Sequence, residues 1–221
     1  MALQIDQPPT GAYAILADSV RRMAALGGAA AQSVNVADPA RLNAALPHKV
    51  FVLDNDDIVK GHDLDSARLV SWRFLILDGQ TPVAAVELSC DAQGQNLKFA
   101  SINVGPFVAA TRTAVLHAEN LLQVKNGDYE LRALKAPSVY VMALWLKDLR
   151  GTNDLVLPIG PANQAVAPSP QIASTLGYAA TVQAPHQSSA DFLNALKPSA
   201  NAARSFDSAP QGPSPSPPPV P

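Results

Sequence analysis

Five aspartates and a histidine crowd one twelve-residue stretch of the chain: Asp54, Asp56, Asp57, His62, Asp63 and Asp65. Carboxylates at this density suggest a site for a hard cation, which takes oxygen ligands. A calcium loop, however, needs an acidic or amide residue at position five, glycine at six and glutamate at twelve. This stretch has Ile58, Val59 and Asp65 there. The spacing therefore favours a solvated loop whose aspartates serve turns and caps, and no metal site is predicted.

The one cysteine, Cys90, would need a nearby base such as His117 to act as a nucleophile. A reactive thiolate requires a positive neighbour or a helix N-terminus, which lower its pKa. Cys90 is instead followed by Asp91, whose charge acts in the opposite direction. His117 falls on the apolar stripe of a predicted helix. The pattern favours a small buried thiol and a core histidine.

Other catalytic and cofactor signatures are missing from the sequence. It contains no Gly-x-Ser-x-Gly elbow, no Gly-x-Gly-x-x-Gly turn and no Walker pattern. His48, His62 and His186 lack the spacing of zinc ligands. We therefore predict no catalytic residue and no cofactor, which favours a protein that is not an enzyme.

A second interpretation starts from polar residues that interrupt otherwise apolar elements. The residues that could form a small-molecule or enzyme site are Arg73, Glu87, Asn103, Arg112, Glu119 and Arg132. A deep pocket in which several of them converge would favour a binder or an enzyme. A flat apolar surface patch would favour an interaction protein.

The elements that would position these residues are readable from hydrophobic periodicity and turn signals. The predicted elements are a helix from Ala12 to Leu26, a short helix from Asp38 to Leu46, strands Lys49–Leu53, Leu69–Leu77, Val83–Cys90 and Leu97–Val104, a long helix from Pro106 to Gly127, and strands Tyr129–Leu134, Val139–Leu146 and Leu155–Ile159. The long helix is expected to bury the stripe Phe107, Ala110, Ala114, His117 and Leu121. Trp72, Phe74, Val141 and Trp145 are expected to be buried in the sheet.

Sequential strands broken by one helix favour an α+β fold, a mainly antiparallel sheet with a long helix packed on it. This order of elements resembles the profilin-like and longin-like folds, a likeness of topology alone. We predict an extended lead over residues 1–11, a single α+β domain over 12–161, and a largely disordered, proline-rich tail over 162–221.

One apolar island interrupts the tail at Ala190–Leu196, where Phe192, Leu193 and Leu196 lie on one side of a predicted short helix that Pro198 ends. So short a helix needs a surface to order against. That surface is either the domain's own sheet or a partner, and Phe192, Leu193 and Leu196 are the predicted interaction residues.

Composition bounds the remaining function classes. The net charge is −2 and only 5% of residues are aromatic, so nucleic-acid binding is not expected. The longest apolar run, Val139–Leu146, is far below the roughly 20 residues of a membrane span. We expect a soluble, cytoplasmic protein that binds an unknown protein partner or itself, with a non-catalytic interaction or accessory role.

Overall fold

Runs of β-branched and aromatic residues build one eight-stranded sheet, flanked by helices. The structure is a computed structural model, and it describes residues 3–26, 42–160 and 186–207. The strands are β1 Leu42–Val52, β2 Arg68–Asp78, β3 Thr81–Ser89, β4 Lys98–Asn103, β5 Tyr129–Ala136, β6 Val141–Asp148, β7 Leu155–Pro158 and β8 Gln187–Ser188. The helices are α1 Ala12–Leu26, α2 Asn55–Lys60, α3 Pro106–Asn120, α4 Leu122–Asn126 and α5 Ser189–Asp207, with 3₁₀ turns at Leu64–Ser66 and Pro137–Val139.

The sheet consists of two antiparallel meanders joined side by side. Its strand order is β4-β3-β2-β1-β5-β6-β7-β8. Every neighbouring pair is antiparallel except β1 and β5, which run parallel from Lys49–Val52 against Arg132–Lys135. We call β1–β4 the first half, β5–β8 the second half, and the β1–β5 pairing the seam. The predicted α+β class with a mainly antiparallel sheet is confirmed.

Helices cover both faces of the sheet. α1 packs on β2 and β3 through Ala12 and Leu16, and α5 packs on β5 and β6 through Phe192 and Leu196. Four residues lie directly opposite one another across β2, β1, β5 and β6, and their side chains are therefore on one face of the sheet: Trp72, Lys49, Arg132 and Trp145. α1 packs on this face with Trp72 and α5 packs on it with Trp145, so we call it the α1/α5 face. α3 covers the other, the α3 face, because Val108 packs on Leu75 and Ala85, whose side chains alternate away from α1.

The N-terminal segment fills a gap beside β5. Gln4 pairs in parallel with Glu130, donating its N–H to the Tyr129 carbonyl at 2.7 Å and accepting from the Leu131 N–H at 2.9 Å. β1 itself pairs with β5 only from Lys49 to Val52, opposite Arg132–Lys135. Residues 4 and 130 therefore continue the seam, and the extended lead over residues 1–11 stays a prediction.

The core agrees with the strand predictions, since Trp72, Phe74, Val141 and Trp145 are all buried. The buried stripe predicted for the long helix lies about one residue before the observed one. Its inward side chains are Val108, Thr111, Val115 and Ala118, whereas Phe107 is exposed and His117 half-buried. Small and β-branched residues let α3 approach the sheet closely, so size rather than hydrophobicity selects its buried side. The helix also breaks at Leu121, where the backbone turns extended.

Further boundaries differ from the predictions. The helix expected over 38–46 is wrong for residues 42–46, which belong to β1, where pairing with β2 overrides local propensity. Its first residues lie outside the described ones. Strand β6 begins at Val141 rather than Val139, because a 3₁₀ turn ends at Tyr140 in a left-handed conformation with φ 54°.

The predicted helix 190–196 extends over Ser189–Asp207, with Pro198 inside it. Proline removes the hydrogen bond to the Asn194 carbonyl. Both residues are exposed, so the missing hydrogen bond lies on the solvent side of the helix, which continues past it. The domain boundary predicted at residue 161 leaves α5 outside, yet α5 packs on the sheet. The proline-rich end, residues 208–221, lies outside the described residues.

Candidate functional site

A buried carboxylate on the α3 face binds cations from both halves of the sheet. Glu87 of β3 accepts from Arg73 Nη1 at 2.7 Å, and its two oxygens accept from Lys135 Nζ of β5 at 2.7 and 2.8 Å. The side chains of Glu87 and Arg73 are only 8% and 3% exposed. Burial by itself would raise the pKa of Glu87, but Lys135 and then Arg73 outweigh it and hold that pKa below its usual range.

A second buried carboxylate repeats this arrangement on the α1/α5 face. Glu130 of β5 accepts from Arg132 Nη2 at 2.5 Å and from Lys49 Nζ of β1 at 3.3 Å. Lys49 also bonds Asp6 of the N-terminal segment. Burial lowers the pKa of Lys49, yet the bonds and charges of Asp6 and Glu130 raise it above its usual value overall. Lys49 and Arg132 stand directly opposite each other at the seam, where like charges without an anion would repel.

Aromatic rings hold the Arg132 guanidinium in place. Its Cζ lies 4.9 Å from the centre of the Phe51 ring and 4.7 Å from that of Trp145. The two rings meet edge to face at 5.2 Å. Trp145 in turn donates from its indole nitrogen to Asp154 at 2.7 Å. These contacts fix the cation by stacking as well as by charge.

The two arrangements are reciprocal. Glu87 belongs to the first half and binds a lysine of the second, while Glu130 belongs to the second half and binds a lysine of the first. We call them the Glu87 clamp and the Glu130 clamp. They lie on opposite faces of the same seam, so each ties the two meanders together from its own side.

His48 lies beside the Glu87 clamp and is completely buried. Its Nδ1 is 2.7 Å from the Leu46 carbonyl, and its Nε2 has no hydrogen-bond partner. Burial is the main cause that lowers the pKa of His48 to about 4, and the positive charge of Arg73 adds to it. His48 is therefore neutral at neutral pH and does not add to the positive charge of the clamp.

Of the scattered polar residues singled out in the sequence, the structure brings together Arg73 and Glu87. Arg132 lies across the sheet from them, in the Glu130 clamp. Asn103 is exposed at the end of β4 and bonds Ser101, and Arg112 and Glu119 lie on α3, half-buried and exposed. No single pocket collects these six side chains among the described residues.

The aspartate-rich stretch forms α2 and a 3₁₀ turn rather than an open loop. Its side chains have separate partners: Asp57 bonds His62 at 2.9 Å, Asp65 bonds Lys147 at 2.7 Å, and Asp63 accepts the N–H of Asp65 at 3.1 Å. Within the part of the chain that the structure describes, no group of three or more histidine, cysteine or acidic residues is placed to hold a metal ion.

Cys90 and His117 lie on opposite faces of the sheet. Cys90 packs with the α1 cluster, whereas His117 belongs to α3. Burial, followed by the charge of Asp91, raises the pKa of the thiol. The pair therefore cannot work as a nucleophile and its base.

The predicted interaction residues of α5 face the chain's own sheet. Phe192 and Leu196 are fully buried and Leu193 is 7% exposed. They pack with Leu134, Val139 and Trp145. The sequence left two surfaces open for this helix, the domain's own sheet or a partner, and the helix packs on the sheet. Binding of a partner at these residues stays a prediction.

A shallow cleft of about 600 Å³ opens where α4 meets the loop between β6 and β7. Its lining is Gln123, Asn126, Gly127, Tyr129, Asp148, Arg150, Gly151, Asn153 and Leu155. Asp148 accepts backbone N–H groups of its own loop, from Arg150 at 2.9 Å and Asn153 at 3.2 Å, which lowers its pKa. A side chain at Gly127 would bring its Cβ within 2.4 Å of the Tyr129 ring. The carboxylate and the glycine thus serve the turn itself.

Sequence reasoning missed Lys49, Glu130 and Lys135. One signal was available for Glu130: opposite charges two residues apart on a strand, as in Glu130 and Arg132, lie on the same face and can pair. The bonds from Lys49 and Lys135 cross between halves and join residues 81 and 48 positions apart. No local pattern encodes them.

Comparison of the chain with protein-family models, with curated proteins and with solved structures finds no match. The resemblance in element order to profilin-like and longin-like folds therefore stays a prediction. No helix among the described residues is long and apolar enough to cross a membrane.

Neutralising either clamp should destabilise the fold. Glu87→Gln leaves Arg73, 3% exposed, without its counter-charge. Glu130→Gln likewise leaves Arg132, 16% exposed, without its counter-charge, while Lys49 keeps only Asp6. We expect each to lower the free energy of unfolding by about 3–5 kcal/mol, measured by urea denaturation. The control Glu119→Gln, on the exposed side of α3, should change it by less than about 0.5 kcal/mol. Equal effects in all three variants would contradict a structural role for the clamps.

His48 should make stability depend on pH. Between pH 6.5 and about 4 the unfolded state binds a proton at this histidine that the folded state does not, so stability falls as the pH falls through this window. The gap corresponds to a loss of about 3 kcal/mol. In His48→Gln this part of the decline should disappear when urea denaturation is repeated across the window. An unchanged decline in the variant would show that His48 does not cause it.

Proposed function

We propose that this chain is a non-catalytic interaction or accessory protein, which binds a protein partner or a second copy of itself. The observation that carries the proposal is how its interior charges are used. The two buried carboxylates, Glu87 and Glu130, each bind two cations of the same sheet. Lys135 and Arg73 hold the pKa of Glu87 below its usual range, so Glu87 is a weak base. Both carboxylates order the side chains around them.

The surface supports the same proposal. Seven large apolar side chains of the described residues are exposed, among them Phe99 at 42% and Tyr140 at 92%. Tyr140 also adopts the left-handed conformation, which costs a residue with a Cβ about 1–2 kcal/mol. Tyrosine contributes strongly to protein interfaces. A strained, exposed tyrosine that stabilises little in the isolated chain is consistent with a role in binding.

A second candidate function is small-molecule binding in the cleft at α4. The observation in its favour is that three carboxamides, Gln123, Asn126 and Asn153, converge there with Tyr129. Side-chain amides both donate and accept, so they suit a neutral polar ligand. The cleft is open, and its charged groups already bond the turn. This candidate is therefore the weaker one. A cytoplasmic location, with no nucleic acid or membrane as partner, belongs to the proposal as well.

Site-specific photo-crosslinking tests the proposal. A photoreactive phenylalanine analogue at position 99, and in a second variant at position 140, should yield covalent protein adducts when the full chain is irradiated in its native cell. Position 116 is the matched control, because Leu116 is 43% exposed on the outer side of α3. Adducts at 99 or 140 that position 116 lacks would support an interaction protein. The absence of adducts at both positions, together with chemical-shift changes confined to the cleft on adding small polar metabolites, would favour the second candidate.

A further inference from the structure

Strand β4 leaves one long edge of the sheet without a strand partner among the described residues. It pairs only with β3 and forms the end of the strand order. Lys98, Phe99, Ala100 and Asn103 are exposed, and Ser101 and Ile102 are half-buried. An open edge of this kind presents unpaired backbone N–H and C=O groups and can add another strand.

A bulge determines which way the side chains of β4 point. Phe99 lies opposite Leu88 and Ser101 opposite Glu87, so Ala100 is the extra residue. Phe99 and Ile102 therefore share the α1/α5 face with Leu88 and Val86, their opposite residues. Lys98 and Asn103 share the α3 face, because they lie opposite Ser89 and Ala85.

We propose that β4 pairs antiparallel with β4 of a second copy, around a twofold axis that passes between Ala100 and Ser101. This inference rests on the proposed function and names its partner. Such an axis is perpendicular to the sheet, so each face continues into the same face of the second copy. Phe99 then lies opposite Ile102 of the second copy, apolar against apolar, and Lys98 opposite its Asn103.

The strand is self-complementary in this register. In this register the numbers of two opposed residues always add up to 201, as they do for Lys98 and Asn103. Because this sum is odd, a regular strand would place a residue of one face of the sheet opposite a residue of the other face. The bulge at Ala100 shifts the alternation by one residue and so brings the outer pairs onto matching faces. Lys98, the one charge of β4, lies against a neutral amide and far from its own symmetry mate.

Among the described residues, the other edge of the sheet offers no equal site. β8 is two residues long, Gln187–Ser188, too short to hold a strand in register. A head-to-tail contact between β4 and β8 would leave most of β4 unpaired and would extend into an open fibre. Pairing of β4 with itself closes after two copies.

The test changes the charge opposite Lys98 without touching the core. The full chain should sediment as a concentration-dependent dimer, at twice 23.1 kDa. Asn103→Glu creates two ion pairs across the axis and should tighten the dimer roughly 2- to 30-fold, an effect that salt weakens, while Asn103→Lys should weaken it by a similar factor. The controls Thr113→Glu and Thr113→Lys change the same net charge on the exposed side of α3 and should leave the dimer constant unchanged.

Two results would overturn this inference. A chain that stays monomeric at every concentration has no second copy at β4. A dimer that responds equally to both Asn103 variants, or to the Thr113 variants, uses another register or surface. Failure of the proposed function is distinguishable: crosslinks from position 99 to a different protein would preserve the interaction role while excluding the second copy, and the absence of all crosslinks would remove both.

Discussion

The parallel seam between β1 and β5 is the constraint on which the rest of the structure depends. Each half of the sheet is a meander whose strands find their neighbours through short turns, whereas the seam must form between segments some 80 residues apart in the chain. Only four residues on each strand take part. Pairing this short needs further stabilisation, and the Glu87 and Glu130 clamps provide it from the two faces.

Buried ion pairs are costly to desolvate, and replacing them by apolar residues is often neutral or stabilising. Their use at the seam is consistent with specificity of register: a slip of β1 by one residue would move Lys49 to the other face and leave Glu130 with Arg132 of its own strand as its cation. The charges of the two clamps are thereby paired with one another inside the molecule. The binding role that we propose is therefore assigned to the periphery, to the edge of β4 and the exposed aromatic residues.

The elements that the sequence predicts well are those fixed by local pattern. The hairpin of β2 and β3 follows from alternation and the Asp78–Gly79 turn, and its buried Trp72 and Phe74 follow from the same alternation. Predictions fail where distant contacts decide. Residues 42–46 enter β1 because β2 is beside them, and α5 continues through Pro198 because Ala200 still packs on the core.

In the candidate site too, local sequence pattern reveals some of the residues, whereas distant contacts determine their partners. Arg73, Glu87 and Arg132 are recognisable as charges within apolar strands, but Lys135 is assigned to Glu87 only by the seam. The parallel crossing that brings them together depends on the whole meander between them, residues 53–128, and no spacing in the sequence measures it. The apolar side of α5 is likewise visible in Phe192 and Leu196, while the surface that it covers is not.

A double-mutant cycle between Glu87 and Lys135 tests the central claim, that a carboxylate of one half binds a lysine of the other. Urea unfolding of Glu87→Gln, Lys135→Met and the double variant gives the coupling free energy between the two side chains. We expect at least about 1 kcal/mol of favourable coupling, because the bonds are 2.7 and 2.8 Å long and the carboxylate is buried. Effects that add within about 0.3 kcal/mol would show that the two halves are not held together by this clamp.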